Sequence, residues 1–317
     1  MSAHHDGLIA RCRELPAMRT AIVYPCDELA LESALVAAAA GIVSPVLVGD
    51  PVRMTALARD RAVHLESCEI VAAADPRAAA VRSVELARNG EVQAIMKGSL
   101  HSDELLHAIA SPDSGLHTGR RLTHAYVMDV PSYAEPLIVT DAVVNMAPTL
   151  DEKREIAQNA IDLARALHVE EIRVAVLSAV ETVSARIGST LDAAALCKMS
   201  DRGQITGASV DGPLALDDAV SVQAAREKNI VSAVAGRANV LLVPDFESGN
   251  MLAKALILLA KARAAGVVLG AAIPIAFTSR ADSIATHVAS LAVARLLAAR
   301  APATLRGAPR HRATRRA

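Results

Sequence analysis

The chain has 317 residues, of which 52% are hydrophobic and 21% charged, so it is long enough for two domains or one large domain with a full core. A formal net charge of -1 gives no support for nucleic acid or an anionic membrane as a partner. Aromatic residues make up only 2%, so any adenine or acyl group must be held by aliphatic side chains and backbone.

The amino terminus and the cysteines indicate a cytoplasmic protein. No cationic segment followed by an apolar core opens the chain, and the longest uncharged stretch, residues 33–49, is too short to span a bilayer. The cysteines show no C-x-x-C spacing and are predicted to be reduced thiols. They are Cys12, Cys26, Cys68 and Cys197.

In chain order, short β-branched runs alternate with alanine-rich segments of period 3.6. This pattern predicts an α/β protein with a largely parallel sheet covered by helices on both faces. The first part of the chain predicts strands at 20–24, 42–48, 69–71 and 92–96, and helices at 27–40, 51–63, 76–87 and 102–109.

The alternation changes between residues 115 and 141. Two strand-like runs, 122–130 and 137–140, flank Pro131 and predict an antiparallel excursion at a domain edge, with a boundary near residue 145. Further strands are predicted at 173–177, 206–210, 239–243 and within 267–277, and further helices at 151–167, 191–200, 216–227, 248–264 and 284–297. The arginine-rich tail, 301–317, is predicted to be disordered.

Residues 278–283, here called the hexad, have the sequence Thr-Ser-Arg-Ala-Asp-Ser and join an apolar run to the last predicted helix. Thr278, Ser279 and Asp282 could simply cap that helix. Arg280 does not fit plain capping, because a cation beside the positive end of a helix dipole is unfavourable unless an anion lies between them. The hexad therefore predicts a phosphate-binding corner.

Other polar clusters follow predicted strands, and ligands of parallel sheets bind outside the carboxyl ends of strands. Lys97, Gly98 and Ser99 provide a charge, close backbone approach and a hydroxyl, which favours phosphate contact. The remaining clusters could be ordinary turns or helix caps, and the pair Arg120-Arg121 could be a solvated charge pair. These clusters are Thr140-Asp141, Asp211-Gly212-Pro213, and Asp245 with Gly249 and Asn250.

The sequence lacks the common motifs of nucleotide-binding proteins and hydrolases. It has no G-x-G-x-x-G, no P-loop motif and no G-x-S-x-G elbow, which argues against Rossmann dehydrogenases, P-loop NTPases and α/β-hydrolases. The histidines lack paired ligand spacing, so no metal site is predicted.

Ordered motifs between residues 20 and 298 resemble the phosphate acetyltransferase and phosphate butyryltransferase family. The likeness is closest to the acetyltransferase module that some bacteria carry behind an enoyl-CoA hydratase domain. The motifs are Met96-Lys97-Gly98, Thr118-Gly119-Arg120, Thr140-Asp141-Ala142, Ala147-Pro148-Thr149-Leu150, Asp192-Ala193-Ala194-Ala195-Leu196, Asp211-Gly212-Pro213-Leu214, Val243-Pro244-Asp245, Gly249-Asn250, Val268-Leu269-Gly270 and the hexad.

The resemblance implies reversible transfer of a short acyl group between coenzyme A and orthophosphate, without a covalent enzyme intermediate or a tightly bound cofactor. It also implies a homodimer and two α/β domains similar to isocitrate dehydrogenase, with the active site in the cleft between them. Residues 1–145 with 276–300 would form one domain and residues 146–275 the other.

The resemblance leaves the general base open. The acetyl-specific branch has an aspartate seven positions after the serine of the hexad motif, where this chain has Thr286. Asp282 is the first candidate, followed by Asp245 and Asp211, and Arg120 is a candidate contact for coenzyme A or acyl phosphate. The predicted catalytic residues are Ser279, Arg280 and Asp282, and the predicted substrate-binding residues are Lys97, Gly98, Ser99, Arg120, Asp245, Gly249, Asn250 and Thr278.

Two other functions are compatible with parts of this pattern. A dehydrogenase of the same architecture would need a cluster of metal-binding aspartates and an array of arginines, and the sequence shows neither at a suitable spacing. A non-catalytic module that binds coenzyme A or acyl phosphate is kept open by Thr286. Acetyl and butyryl groups both remain possible substrates, because one methylene changes discrimination by only about 1 to 3 kcal/mol.

Overall fold

The computed structural model describes residues 3–66, 68–279 and 282–300. The described strands are β1 Met18–Val23, β2 Val43–Gly49, β3 Glu69–Ala72, β4 Ala94–Lys97, β5 Thr123–Asp129, β6 Leu137–Thr140, β7 Arg173–Leu177, β8 Ser209–Leu214, β9 Val240–Leu242, β10 Arg263–Leu269 and β11 Ile275–Ala276. The described helices are α1 Ala3–Arg13, α2 Glu28–Ala39, α3 Pro51–Asp60, α4 Pro76–Arg88, α5 Ser102–Ala110, α6 Leu150–Ala166, α7 Gly188–Asp201, α8 Leu216–Val220, α9 Val222–Glu227, α10 Phe246–Leu258 and α11 Ile284–Arg300.

The strands form one sheet in the order β3-β2-β1-β4-β11-β10-β5-β6-β9-β7-β8. Most neighbours are parallel, but β10 is antiparallel to both β11 and β5, and β5 is antiparallel to β6. The strands from β3 to β11 therefore run in one direction, and those from β6 to β8 run in the opposite direction. Carboxyl ends from the two halves of the sheet consequently lie at opposite edges.

The hydrophobic core occupies both faces of the sheet. Side chains of β5 alternate between two buried clusters, with Ala125 and Val127 in one and Tyr126 and Met128 in the other. This is the two-residue period expected of a strand covered on both faces. The second cluster also contains Ala253 of α10, which places that helix over the face to which Tyr126 points.

The predicted α/β class and most predicted elements are confirmed. The strands at 137–140 and 173–177 have the predicted bounds, and helices begin after Asp27, Asp50 and Asp75, whose carboxylates accept from the first turns of α2, α3 and α4. The antiparallel excursion is also confirmed, although β5 lies in the interior of the continuous sheet. The division into two domains remains a prediction.

Most other elements differ from the prediction only at their ends, but three differ more clearly. The helix predicted at 248–264 ends at Leu258, and β10 already begins at Arg263. The apolar run 267–277 is split because the chain turns at Gly270 and returns as β11. The helix predicted at 216–227 consists of α8 and α9, because Ser221 between them has an extended backbone and caps α9.

Two further features differ from the sequence prediction. Strand β8 runs through Asp211-Gly212-Pro213, so this motif is part of the strand and does not follow it. Helix α1, which was not predicted, packs against α11. None of the four cysteines, all of which lie within the described ranges, forms a disulfide. None of the helices in the described ranges is both long and apolar enough to cross a membrane.

Candidate active site

The hexad leaves β11 and leads into α11 as a tight loop. The Ser279 amide donates to Asp282 Oδ2 at 2.7 Å, and the Asp282 amide donates to the Ser279 carbonyl at 3.1 Å. Ser283 caps α11, because its Oγ accepts from the Thr286 amide at 3.2 Å. Asp282 thus closes the loop before the helix. Arg280, the predicted phosphate ligand, lies outside the described residues.

A cleft of about 510 Å³ opens beside this loop. Its walls come from β5, β10, α10 and the start of α11, with one contribution from α1. The side chains of α10 and β10 form a largely apolar wall that also carries Asn250, Lys254 and Arg263, whereas the hexad and the start of α11 contribute hydroxyls and a carboxylate. The cleft is lined by His5, Tyr126, Asn250, Ala253, Lys254, Ile257, Leu258, Ala262, Arg263, Ala264, Ser279, Asp282, Ser283, Ala285 and Thr286.

The surroundings of the Asp282 carboxyl group change its pKa. Partial burial raises its pKa, while the hydrogen bond from the Ser279 amide, the neighbouring His287 and the positive charge of Lys97 act in the opposite direction. A carboxylate with a raised pKa accepts a proton more readily than an ordinary surface aspartate. The loop therefore places a potential general base in the cleft.

Lys97, at the carboxyl end of β4, lies close to the hexad. Its side chain is buried, and Nζ lies 5.9 Å from the centre of the Phe277 ring. Its charge also influences both Asp282 and His287. The structure thus brings together the charge predicted after β4 and the hydroxyl and carboxylate predicted in the hexad.

His287, on the first turns of α11, was not among the predicted site residues. Its Nε2 is 3.5 Å from the Ser279 carbonyl, and the ring is buried. Burial lowers the pKa of His287 in spite of the neighbouring Asp282 carboxylate. The imidazole is therefore a neutral group packed beneath the hexad loop.

Gly98 and Ser99 make structural contacts with the end of β1. The Ser99 hydroxyl donates to the Tyr24 carbonyl at 2.6 Å and accepts from the Cys26 amide at 3.1 Å. A Cβ atom at Gly98 would lie 2.3 Å from the Val23 carbonyl oxygen. These two residues position the loop that follows β1, and neither lines the cleft.

We expect Gly98→Ala to destabilise the protein by about 3 kcal/mol or more, since the added methyl group meets backbone that cannot move aside. Thermal unfolding with circular dichroism measures this loss. Gly188→Ala is the matched control, because an added Cβ there meets nothing within 4 Å. Equal melting temperatures for both variants and the wild type would contradict the assigned role of Gly98.

Of the predicted cluster after β9, which comprises Asp245, Gly249 and Asn250, only Asn250 lines the cleft. Asp245 caps α10 by accepting from the Ser248 amide at 2.9 Å and from its hydroxyl at 2.8 Å. Gly249 is buried on the first turn of α10. Asn250 lines the cleft, and its Nδ2 donates to the Ala142 carbonyl at 3.3 Å.

The remaining predicted residues lie away from the cleft or behind it. Thr278 is buried. Arg120, ahead of β5, forms a 2.8 Å ion pair with Asp162 on α6. Asp211 lies on β8, six strand positions from β11, and therefore roughly 29 Å away at about 4.8 Å per strand. The reversal of strand direction explains why the predicted clusters do not all meet at one edge.

No group of three or more His, Cys, Asp or Glu side chains with the arrangement of a metal site occurs within the described ranges. The cleft itself contains one carboxylate, hydroxyls, an amide and cationic side chains. Its donors are those of an anion-binding site.

Sequence comparison places this cleft in a known context. Residues 76–295 match the model of the phosphate acetyl/butaryl transferase family. The chain belongs to this family. It is 52% identical to the phosphate acetyltransferase of Rhizobium meliloti, over 93% of this chain and 94% of that protein, and 38% identical to the phosphate butyryltransferase of Clostridium beijerinckii, over 95% and 99%.

Solved structures show the same fold. A branched-chain phosphotransacylase from Enterococcus faecalis superposes with a TM-score of 0.77 at 26% identity, covering 88% of this chain and 99% of that one. A 4-hydroxythreonine-4-phosphate dehydrogenase from Klebsiella pneumoniae superposes with a TM-score of 0.53 at 14% identity, covering 89% and 98%. The second likeness concerns the fold alone, and it agrees with the predicted dehydrogenase-like architecture of this phosphate acyltransferase family member.

Proposed function

We propose that this protein is a phosphate acyltransferase that reversibly transfers a short acyl group between coenzyme A and orthophosphate. The observation that carries the proposal is the cleft in which Ser279 and Asp282 stand at the start of α11, in a chain that matches the family model over residues 76–295. Lys97 adds a buried positive charge close to Asp282.

The reaction is a direct displacement at the acyl carbon. The thiolate sulfur of coenzyme A attacks the carbonyl carbon of the acyl phosphate and forms the carbon–sulfur bond. The carbon–oxygen bond to phosphate then breaks, and orthophosphate leaves with the electron pair. The proton of the thiol passes to a base, and no bond to the protein forms.

Asp282 is our candidate for that base. Its carboxylate lines the cleft and has a raised pKa, whereas Thr286 on α11 supplies only a hydroxyl. Asp245 is less suitable because its carboxylate caps α10, and Asp211 lies near the far end of the sheet. The thiolate is also the more reactive form of the attacking group.

The positive charges of Arg280 and Lys97 would hold the phosphate and neutralise the charge that develops on it. Ser279 would supply a hydroxyl in the cleft, and the first turn of α11 would supply the positive end of a helix dipole. Asn250 and Lys254, on the opposite wall of the cleft, are candidate contacts for coenzyme A.

The direct test mixes purified protein with coenzyme A and acetyl phosphate and follows thioester absorbance and phosphate release without added metal or nicotinamide. We expect stoichiometric formation of thioester and phosphate. Binding of coenzyme A by calorimetry without any turnover would instead support a non-catalytic binding module and refute the proposal.

Acetyl is our proposed acyl group, because the 52% identical relative is named a phosphate acetyltransferase. The same assay with butyryl phosphate gives a ratio of kcat/KM values, and we expect acetyl phosphate to be preferred. A preference for butyryl phosphate would move the assignment towards the Clostridium beijerinckii enzyme, which is 38% identical.

We further propose a cytoplasmic homodimer without a tightly bound cofactor. Large apolar side chains are exposed on the segment that contains α7, α8 and α9, including Val183, Leu216 and Val231, and they support burial against a second copy. Light scattering coupled to size exclusion tests the dimer. A monomeric mass at micromolar concentration would refute it.

A further inference from the structure

Tyr126 is a cleft residue to which the reaction outlined above assigns no role. It lies on β5, opposite Gly266 of β10 and Val139 of β6. The residue is 8% exposed, and this remaining surface lines the cleft together with Ser279 and Asp282. Within the described ranges, its hydroxyl forms no hydrogen bond.

The ring of Tyr126 is held in place by its neighbours. It meets the His124 ring edge-on, with centroids 4.4 Å apart and an interplanar angle of 72°. On β10, Gly266 leaves space for it, since a Cβ atom there would lie 3.3 Å from Tyr126 Cε1 and 2.2 Å from the Phe277 carbonyl oxygen. The ring therefore packs beside the backbone that leads directly into the hexad.

The hydroxyl of Tyr126 keeps its proton at any pH at which the protein would work. Burial raises the pKa of this phenol, and the nearby Asp282 carboxylate raises it further. Tyr126 is thus a neutral, preorganised O–H donor at the wall of the cleft.

A neutral donor suits one atom of the reacting substrates better than the others. Phosphate carries full negative charge throughout, and cations are its usual partners. The acyl carbonyl oxygen is neutral in the bound substrate and becomes negative only during attack, so a fixed O–H group favours the transition state over the ground state. Tyr126 also borders apolar side chains of the cleft, including Ala253 and Ala264.

We propose that the Tyr126 hydroxyl donates a hydrogen bond to the acyl carbonyl oxygen and stabilises the oxyanion that forms when the thiolate attacks. This inference rests on the proposed function. It makes Tyr126 a catalytic residue in addition to those of the hexad.

Tyr126→Phe tests this role because it removes only the hydroxyl. We expect kcat to fall about 100-fold, as for the loss of one oxyanion donor, while the KM values for coenzyme A and acetyl phosphate change less than about threefold. Tyr133→Phe is the matched control, since that hydroxyl donates to the Ala238 carbonyl at 2.7 Å, and we expect wild-type rates. A wild-type kcat in Tyr126→Phe, or a raised KM for acetyl phosphate with kcat unchanged, overturns the inference.

A binding measurement separates this inference from the proposed function. Infrared spectra of bound acetyl-CoA labelled with carbon-13 at the carbonyl should show a lower stretching frequency with the wild type than with Tyr126→Phe. Identical bands with both proteins overturn the role of Tyr126, whether or not turnover occurs. Absence of turnover in the wild type, with the bands still different, refutes only the proposed acyltransferase activity.

Discussion

Replacing Arg280 with alanine is expected to reduce kcat/KM for thioester formation from acetyl phosphate by at least about 1000-fold. The reason is electrostatic. Loss of one preorganised hydrogen-bond donor to the charge that develops in the transition state lowers kcat roughly 100- to 1000-fold. Arg280 would supply both a full positive charge and a bidentate contact, so its loss should cost at least as much. Steady-state rates with coenzyme A and acetyl phosphate measure the effect.

The control for Arg280 is another arginine beside a helix start. Arg186 is exposed and immediately precedes the N-cap of α7, remote in sequence from the hexad, so Arg186→Ala should retain wild-type rates. Arg280→Lys should recover only part of the activity, because an ammonium group cannot form the bidentate contact. Unchanged turnover in Arg280→Ala would show that the phosphate is bound elsewhere.

Whether a segment forms a helix or a strand could be predicted from the sequence, because this depends mainly on the residues within the segment itself. Alanine-rich segments of period 3.6 predicted α2 and α4, and short β-branched runs predicted β1 and β7. The junction before α11 could be predicted for the same reason, and it holds three of the residues that line the cleft, Ser279, Asp282 and Ser283.

Strand direction was not predictable in this way. The sequence predicted ligand-binding clusters at the carboxyl ends of strands, but β10 pairs antiparallel with β11 and β5, and β5 pairs antiparallel with β6, so these ends lie at two edges of the sheet. The pairing of β10 with β5 joins residues 123–129 to residues 263–269, and local periodicity carries no record of such distant partners. Asp211 and Arg120 do not line the cleft, and their roles in the site remain predictions.

Individual roles within the polar clusters depended on packing. Gly98 and Ser99 have the composition of a phosphate loop, yet their contacts are with the backbone after β1. Tyr126 lacked any motif, and the one available signal was its position two residues after His124, which puts both rings on the same face of β5. Two polar rings on one face of an otherwise apolar buried strand can therefore indicate a site residue that no motif marks.

Asp282→Asn is expected to lower kcat for thioester formation by about 100- to 10,000-fold, the range associated with loss of a general base. The substitution is selective, because an asparagine oxygen can still accept the hydrogen bond that the Ser279 amide donates at 2.7 Å. Asp75→Asn is the control: it changes a helix cap on α4 in the same way, and Asp75 does not line the cleft.

The pH dependence distinguishes a base from a loop-closing residue. Because burial raises the pKa of Asp282, its ionised form is present above that raised pKa and is lost as the pH falls through it. The wild type should therefore lose activity on the acid side at a higher pH than an ordinary aspartate would cause, and this acid limb should be absent from Asp282→Asn. If the variant were inactive only because the loop is disturbed, its residual activity would keep the acid limb and its melting temperature would fall.

A wild-type rate in Asp282→Asn would instead show that the thiol loses its proton to another group. The neutral His287 beneath the hexad would then be the next side chain to replace.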